Sequence, residues 1–333
     1  MRCMAGRREW TRETLVAGVR AGDKRALARA ITLVENGDQL AYDVVRDIYP
    51  DTGGGYAVGV TGPPGVGKSS LISALVRHVR GREQSVGVIS VDPSSPFSHG
   101  ALLGDRIRLS DHFLDPGVFI RSMGARGHLG GLAEATLQAM LVLDASGKDL
   151  LFLETVGAGQ GEVEVIGIAD TVLLVLMPGS GDSVQALKAG IMEIPDVIAV
   201  NKMDHPAAKT MVNEVRSILT LDKEREWKPP IVLTEAMRGE NIDVLWDKVA
   251  AHRAFLEEGG GLEQRRRRNL AGEVFAVASS RAKEHLQHAV ADDPELRRLL
   301  DEVQRRELDP LTAVREIMEK VFRIGDTNGA DAS

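Results

Sequence analysis

The stretch that most constrains this 333-residue chain is Gly62-Pro63-Pro64-Gly65-Val66-Gly67-Lys68-Ser69. It fits G-x-x-x-x-G-K-[ST], the pattern of a phosphate-binding P-loop. Glycines at these positions let backbone N–H groups turn inward around phosphate oxygens without a Cβ clash. Lys68 then reaches the β- and γ-phosphates and the Ser69 hydroxyl binds Mg²⁺, with Ser70 counted among the nucleotide contacts. The flanks agree with this reading. Tyr56-Ala57-Val58-Gly59-Val60 reads as a buried strand, and Ser69 to Arg80 as a helix with Leu71, Leu75 and Val79 at helical spacing. The phosphates would also lie at a helix N-terminus, where the dipole favours negative charge. A chance glycine-rich turn is the competing reading, and the strand–loop–helix context argues against it.

Several classes are disfavoured by composition. With 43% hydrophobic residues the chain is globular in character, and a net charge of −7 gives no general pull toward nucleic acid or anionic membrane. Cys3 is the sole cysteine, which excludes an intramolecular disulfide or a cysteine-built metal cluster within one chain. Apolar runs such as Val172 to Met177 are too short to span a bilayer, and Met1 to Trp10 has no apolar core of a secretory signal. The expectation is a cytoplasmic protein.

Along the chain, residues 1–50 read as an N-terminal helical extension of two or three short helices, with Asp23 as an N-cap. Residues 51–257 alternate strand and helix, with strands expected at 56–60, 85–91, 118–121, 150–154, 171–176, 197–200 and 231–234. Continuous apolar runs such as Leu150-Leu151-Phe152-Leu153 suit strands covered on both faces of a mainly parallel sheet. The expected fold is therefore α/β, doubly wound, of P-loop NTPase type, with ligands beyond the carboxyl ends of the strands. Residues 258–333, set off by Gly259-Gly260-Gly261, read as helical and could form an oligomerisation arm. The run Arg265 to Arg268 lacks interleaved aromatics and has acidic neighbours, so it reads as a solvated helix face or a subunit contact.

Asn201-Lys202-Met203-Asp204 follows the apolar strand Val197 to Val200 and matches N-K-x-D, the guanine-reading signature of GTPases. The aspartate accepts hydrogen bonds from guanine N1–H and the exocyclic amine; adenine lacks that pair and would leave a carboxylate unsatisfied. The Lys202 stem would pack over the nucleotide, and Asn201 would brace neighbouring loops. Thr234-Glu235-Ala236, after Ile231-Val232-Leu233, falls where GTPases place a further base-contacting loop, with the Ala236 N–H meeting guanine O6. Asp92 ends the second strand, where it can face the γ-phosphate, Mg²⁺ or the attacking water, or simply cap a helix beginning at Pro93. Asp105 is a second acidic candidate. Glu154 is placed as a Walker B carboxylate near Mg²⁺. Gly157 lets the backbone approach the γ-phosphate and swing when that group leaves, and Gln160 could orient water.

Taken in order, G-P-P-G-V-G-K-S, V-D-P-S-S, E-T-V-G-A-G-Q, G-D-S-V-Q-A-L-K and N-K-M-D resemble the MeaB/MMAA/ArgK-type G-protein chaperones of adenosylcobalamin-dependent acyl-CoA mutases, SIMIBI-class P-loop GTPases. The resemblance covers about 15–256 and extends to the length and character of the C-terminal helices. It implies a GTPase, slow alone and faster on its mutase, that gates cofactor loading and protects the mutase. It also implies a homodimer formed through C-terminal helical arms. In the family, the positions of Ser69, Asp92, Asp105 and Glu154 cluster around Mg²⁺ and the γ-phosphate. Asp182, Gln185 and Lys188 match a further switch, and Lys188 is tied to partner-stimulated hydrolysis, in the manner of an arginine finger. A solvated helix residue is the plainer reading of Lys188.

Two positions depart from the family pattern: Ala158 replaces a valine and Gly161 a serine, both loosening that switch. Arg126 and His128, in a glycine-rich stretch at 121–131, could touch a partner or lie on a plain surface loop. Three other functions compete with this one. A nickel-insertion GTPase of the same class would need cysteine or histidine ligands, and the eight histidines here show no ligand spacing. A small-molecule or protein kinase conflicts with N-K-x-D. A nucleotide-controlled binding module with negligible turnover fits the motifs and differs in its kinetics.

Overall fold

The computed structural model describes residues 10–92, 109–124, 129–155, 167–179, 194–220 and 226–322. Asp105, Gly157, Gln160, Asp182, Gln185, Lys188, Arg126 and His128, with the Asp92 side chain, lie outside the described residues.

Three short helices come first: α1 (Arg12–Arg20), α2 (Lys24–Glu35) and α3 (Gln39–Ile48). The predicted cap is present, for the Asp23 carboxylate accepts from the backbone N–H groups of Arg25 and Ala26 at 2.7 and 3.2 Å. The alternating part follows as β1 (Tyr56–Thr61), α4 (Lys68–Arg80), β2 (Val86–Asp92), β3 (Val118–Gly124), α5 (Leu129–Ala145), β4 (Leu150–Thr155), β5 (Thr171–Leu176), β6 (Val197–Val200), α6 (Ala208–Leu219), β7 (Ile231–Leu233) and α7 (Ile242–Glu258). The seven strands form one sheet in the order β3-β2-β4-β1-β5-β6-β7. Every pairing is parallel. Six of the seven strands begin at the expected residue and β2 begins one residue later, at Val86; β3 runs three residues beyond its expected end.

Both faces of the sheet are covered, which is why its central strands are apolar without alternation. Leu151 and Leu153 pack with α1, α2, α3 and α5 on one side, while Leu150 and Phe152 pack with α4 and α7 on the other. On the β3 edge the covering is not wholly apolar, for Arg121 pairs with Glu35 and Thr32 of α2.

At the amino end of β5 the charges are structural. Helix α8 (Gly261–Asp292) carries Arg265 and Arg266 in its first turns. Arg265 grips Asp196 with two hydrogen bonds of 3.0 and 2.7 Å. Arg266 grips Asp170 with two of 2.7 Å and adds the carbonyls of Gly53 and Gly55. Half of the arginine run is thus neither a solvated face nor a subunit contact, because two buried acids sit opposite it. Nearby, the Thr171 hydroxyl bridges Tyr56 Oη at 2.5 Å and His252 Nδ1 at 2.8 Å, and burial holds the His252 imidazole below its usual pKa. Arg266→Ala strands the Asp170 carboxylate, 3% exposed, without its guanidinium. Because Arg266 itself is partly solvated, the expected loss of folding stability is roughly 2–3 kcal/mol, read from denaturant unfolding.

The chain divides into two compact units, one running to Val274 and one from Phe275 onward. The second contains the rest of α8, then α9 (Pro294–Gln304) and α10 (Pro310–Phe322). Lys320 ties α10 to the start of α9 through Asp293 at 2.9 Å and through Glu295.

Candidate functional site: a P-loop joined to a base pocket

The opposite, carboxyl end of the sheet is where the sequence motifs meet. Between β1 and α4 the chain passes Gly62 with φ of 143° and Gly67 with φ of 96°. A Cβ on Gly62 would stand 2.1 Å from the Val175 carbonyl oxygen, and one on Gly67 would stand 2.5 Å from Asn201 Nδ2. Both positions therefore need glycine twice over, for backbone angle and for space. Lys68 and Ser69 open α4 and are buried, at 6% and 3% exposure. The Lys68 ammonium donates to the carbonyls of Gly62 and Pro63 at 2.7 and 2.9 Å, so the lysine is folded across its own loop.

Glu154, 1% exposed, is the penultimate residue of β4, the strand beside β1. Its carboxylate accepts from Ser69 Oγ at 2.6 Å and from Ser90 Oγ at 2.9 Å. Sequence reasoning missed Ser90. Its signal was a hydroxyl in the otherwise apolar β2, two residues before Asp92 and therefore on the same face of the pleat. Ser90 pairs in register with Glu154. Asp92 is the last residue of β2, as expected, in register with Gly124. The Ser69 hydroxyl spends its proton on Glu154, which leaves oxygen lone pairs of the serine and of the carboxylate for a hard cation. Among the described residues, no group of three acidic, histidine or cysteine side chains forms a complete metal cage.

Asn201 links this loop to the second motif. Its Nδ2 donates to the Val66 carbonyl at 2.9 Å, and its Oδ1 accepts from the Ala236 N–H at 3.1 Å and the Thr234 hydroxyl at 3.3 Å. The bracing role read from the sequence is present, and it occupies the Ala236 N–H that was expected to face guanine O6. Lys202 adopts φ of 58°, a left-handed backbone that costs a non-glycine residue about 1 kcal/mol. It is held there by Asn201 N–H to Leu176 O at 2.8 Å and Met203 N–H to Thr234 O at 3.0 Å. Such strain is characteristic of functional loops. The result is a cavity of about 420 Å³ lined by Gly65, Gly67, Asn201, Lys202, Asp204 and Glu235, with Ser70 and Met237 completing it. The P-loop and the N-K-M-D loop thus share one concavity.

A parallel doubly wound sheet with a P-loop after β1 and an N-K-M-D loop after β6 defines a P-loop nucleotide triphosphatase of the GTP-binding kind. Residues 27–291 match the family model described as methylmalonyl Co-A mutase-associated GTPase MeaB. The chain belongs to this family of GTPases. It is 46% identical to a putative GTPase of Pyrococcus abyssi over 93% of this chain and 97% of that protein. It is 33% identical to the GTPase ArgK of Escherichia coli over 90% of this chain and 94% of that one. The mitochondrial methylmalonic aciduria type A homolog of Mus musculus is 32% identical over 76% of this chain and 66% of that one. Among solved structures, a LAO/AO transport system kinase superposes with a TM-score of 0.72 at 28% identity, covering 93% of this chain and 97% of that chain. Among the described residues, no helix is long and apolar enough to cross a membrane.

Proposed function

We propose that this chain binds and hydrolyses GTP and couples hydrolysis to cofactor loading and protection of an adenosylcobalamin-dependent acyl-CoA mutase of the methylmalonyl-CoA mutase type. The observation that supports the nucleotide part is the Asn201 side chain, which ties the P-loop at Val66 to the turn at Thr234 and Ala236 beside a cavity that Asp204 also lines. The family match supports the mutase part.

In this reading, Gly62 to Ser70 cradle the phosphates, Lys68 turns from its loop carbonyls to the β- and γ-phosphates, and Asp204 reads the base. Ser69 and Glu154, with Asp92 and Asp105, would hold Mg²⁺, which would supply positive charge to offset that of the phosphates. Water attacks the γ-phosphorus in line, the bond to the β-bridging oxygen breaks, GDP leaves, and the proton of the water passes to the released phosphate. Asp92 orients that water, Gly157 follows the departing phosphate, and Lys188 completes the site when the mutase docks. The C-terminal helices serve a homodimer. Their unit exposes Phe275, Leu300, Leu311 and Val314, apolar side chains that a second copy would cover. Neither nucleic acid nor membrane enters the proposal, and the protein acts in the cytoplasm.

The test is GTP turnover by the purified chain with and without a purified adenosylcobalamin-dependent methylmalonyl-CoA mutase from the same source. A clear rise on adding mutase supports the reading. Turnover that the mutase leaves unchanged would remove the chaperone part. In Lys188→Ala the ratio of stimulated to basal turnover is expected to fall toward one, since a cation that arrives only with the partner can matter only in its presence. Stimulation that survives the substitution would dismiss that role.

A further inference from the structure

One row of residues across the carboxyl end of the sheet breaks the apolar rule of its neighbours. Parallel pairing sets Ser90 of β2 opposite Glu154 of β4 on one side and opposite Ser122 of β3 on the other. Two residues earlier on the same face the row is Phe152, Val88 and Ile120, all apolar. Ser90 is 2% exposed, so its hydroxyl is not there for solvation. A buried hydroxyl in a sheet interior costs desolvation unless it bonds something. Ser90 bonds the Glu154 carboxylate, which is buried as deeply.

The carboxylate is divided between two hydroxyls. Oε2 accepts from Ser90 Oγ at 2.9 Å and Oε1 from Ser69 Oγ at 2.6 Å. An ionised carboxylate offers only acceptors, so both serines donate. The last torsion of a glutamate is broad, and one hydrogen bond leaves the carboxylate free to turn about it. Two bonds from different elements, β2 and the start of α4, fix its plane. The Ser69 hydroxyl is fixed in turn, because its proton is committed to Oε1. Nothing in the P-loop pattern itself asks for a serine at this place in β2.

We propose that Ser90 is a positioning residue for Mg²⁺: by holding Glu154 Oε2 it keeps that carboxylate, and through it the Ser69 hydroxyl, turned as a hard cation needs them, and so sets how strongly GTP binding depends on Mg²⁺. The inference rests on the reading of Ser69 and Glu154 as Mg²⁺-holding side chains and adds the residue that orients them. Mg²⁺ tolerates little departure from octahedral geometry, so the orientation of a few protein oxygens weighs heavily. Removing a partner that orients a ligand lowers metal affinity by about 10–100-fold.

The experiment measures equilibrium dissociation constants for GTP on the full chain, from EDTA through millimolar Mg²⁺. In Ser90→Ala the Mg²⁺ concentration that gives half of the gain in GTP affinity is expected to rise about tenfold. GTP affinity in EDTA stays at the wild-type value, because the P-loop contacts do not involve Ser90. A loss of packing alone would instead weaken GTP equally with and without Mg²⁺. Ser90→Thr keeps the hydroxyl on a residue suited to a strand, and is expected to return the wild-type midpoint. A Ser90→Ala midpoint equal to that of the wild type, an equal loss of affinity in EDTA and in Mg²⁺, or a Ser90→Thr variant no better than Ser90→Ala overturns the inference. Glu154→Gln separates it from the reading beneath it. If that variant loses the response to Mg²⁺ while Ser90→Ala keeps it, only the role of Ser90 falls. If Glu154→Gln responds to Mg²⁺ as the wild type does, the reading of Glu154 falls and the role of Ser90 with it.

Discussion

Lys68→Ala is expected to lower kcat/KM for GTP by on the order of a thousandfold, as removal of a preorganised charge from a phosphoryl-transfer site does. The geometry makes this a chemical rather than a folding effect. In the structure the ammonium satisfies two carbonyls of its own loop, Gly62 and Pro63. Those carbonyls lose bonds worth about 1 kcal/mol each, and they lie on a loop that water can reach once the side chain is cut back. The loop keeps its independent tie from Val66 O to Asn201. Circular dichroism and the unfolding midpoint should therefore move little while turnover collapses. Near-normal hydrolysis by the alanine variant would refute the assignment of this loop to the phosphates.

The second large effect is in base choice. Asp204→Asn exchanges an acceptor-only group for one that presents an amide donor. Guanine offers two donors to this position, so the variant pairs one of them badly or not at all, and the penalty that kept adenine out is also removed. The GTP-over-ATP preference is expected to fall by on the order of a thousandfold, measured as a ratio of dissociation constants. Binding of the triphosphate itself should weaken less, because the phosphate contacts come from Gly62 to Ser70. Unaltered discrimination would mean that the cavity beside Asn201 is not the base pocket.

The positions of the apolar strands, their mainly parallel sheet and the two motif loops were readable in the residues because each rests on a local rule. Burial on both faces writes continuous apolar runs, and the P-loop needs Gly62 and Gly67 where they stand. What the residues did not announce depends on partners remote in sequence. Arg265 and Arg266 look like part of a solvated basic run until Asp196 and Asp170, 69 and 96 residues away, are brought against them. Ser90 looks like an accident in β2 until the register sets it beside Glu154. Helix α8 likewise began at the glycines that appeared to separate it from α7, since Gly261 is its first residue.

The Asn201 side chain has a consequence that reaches beyond bracing. One amide holds the phosphate loop through Val66 and the base loop through Ala236 and Thr234. Contributions from the two halves of a nucleotide are then not separable quantities: a change felt by the sugar-base end alters the stiffness of the phosphate end, and the reverse. A protein wired in this way registers a guanine nucleotide as a single word rather than as a base plus a phosphate count.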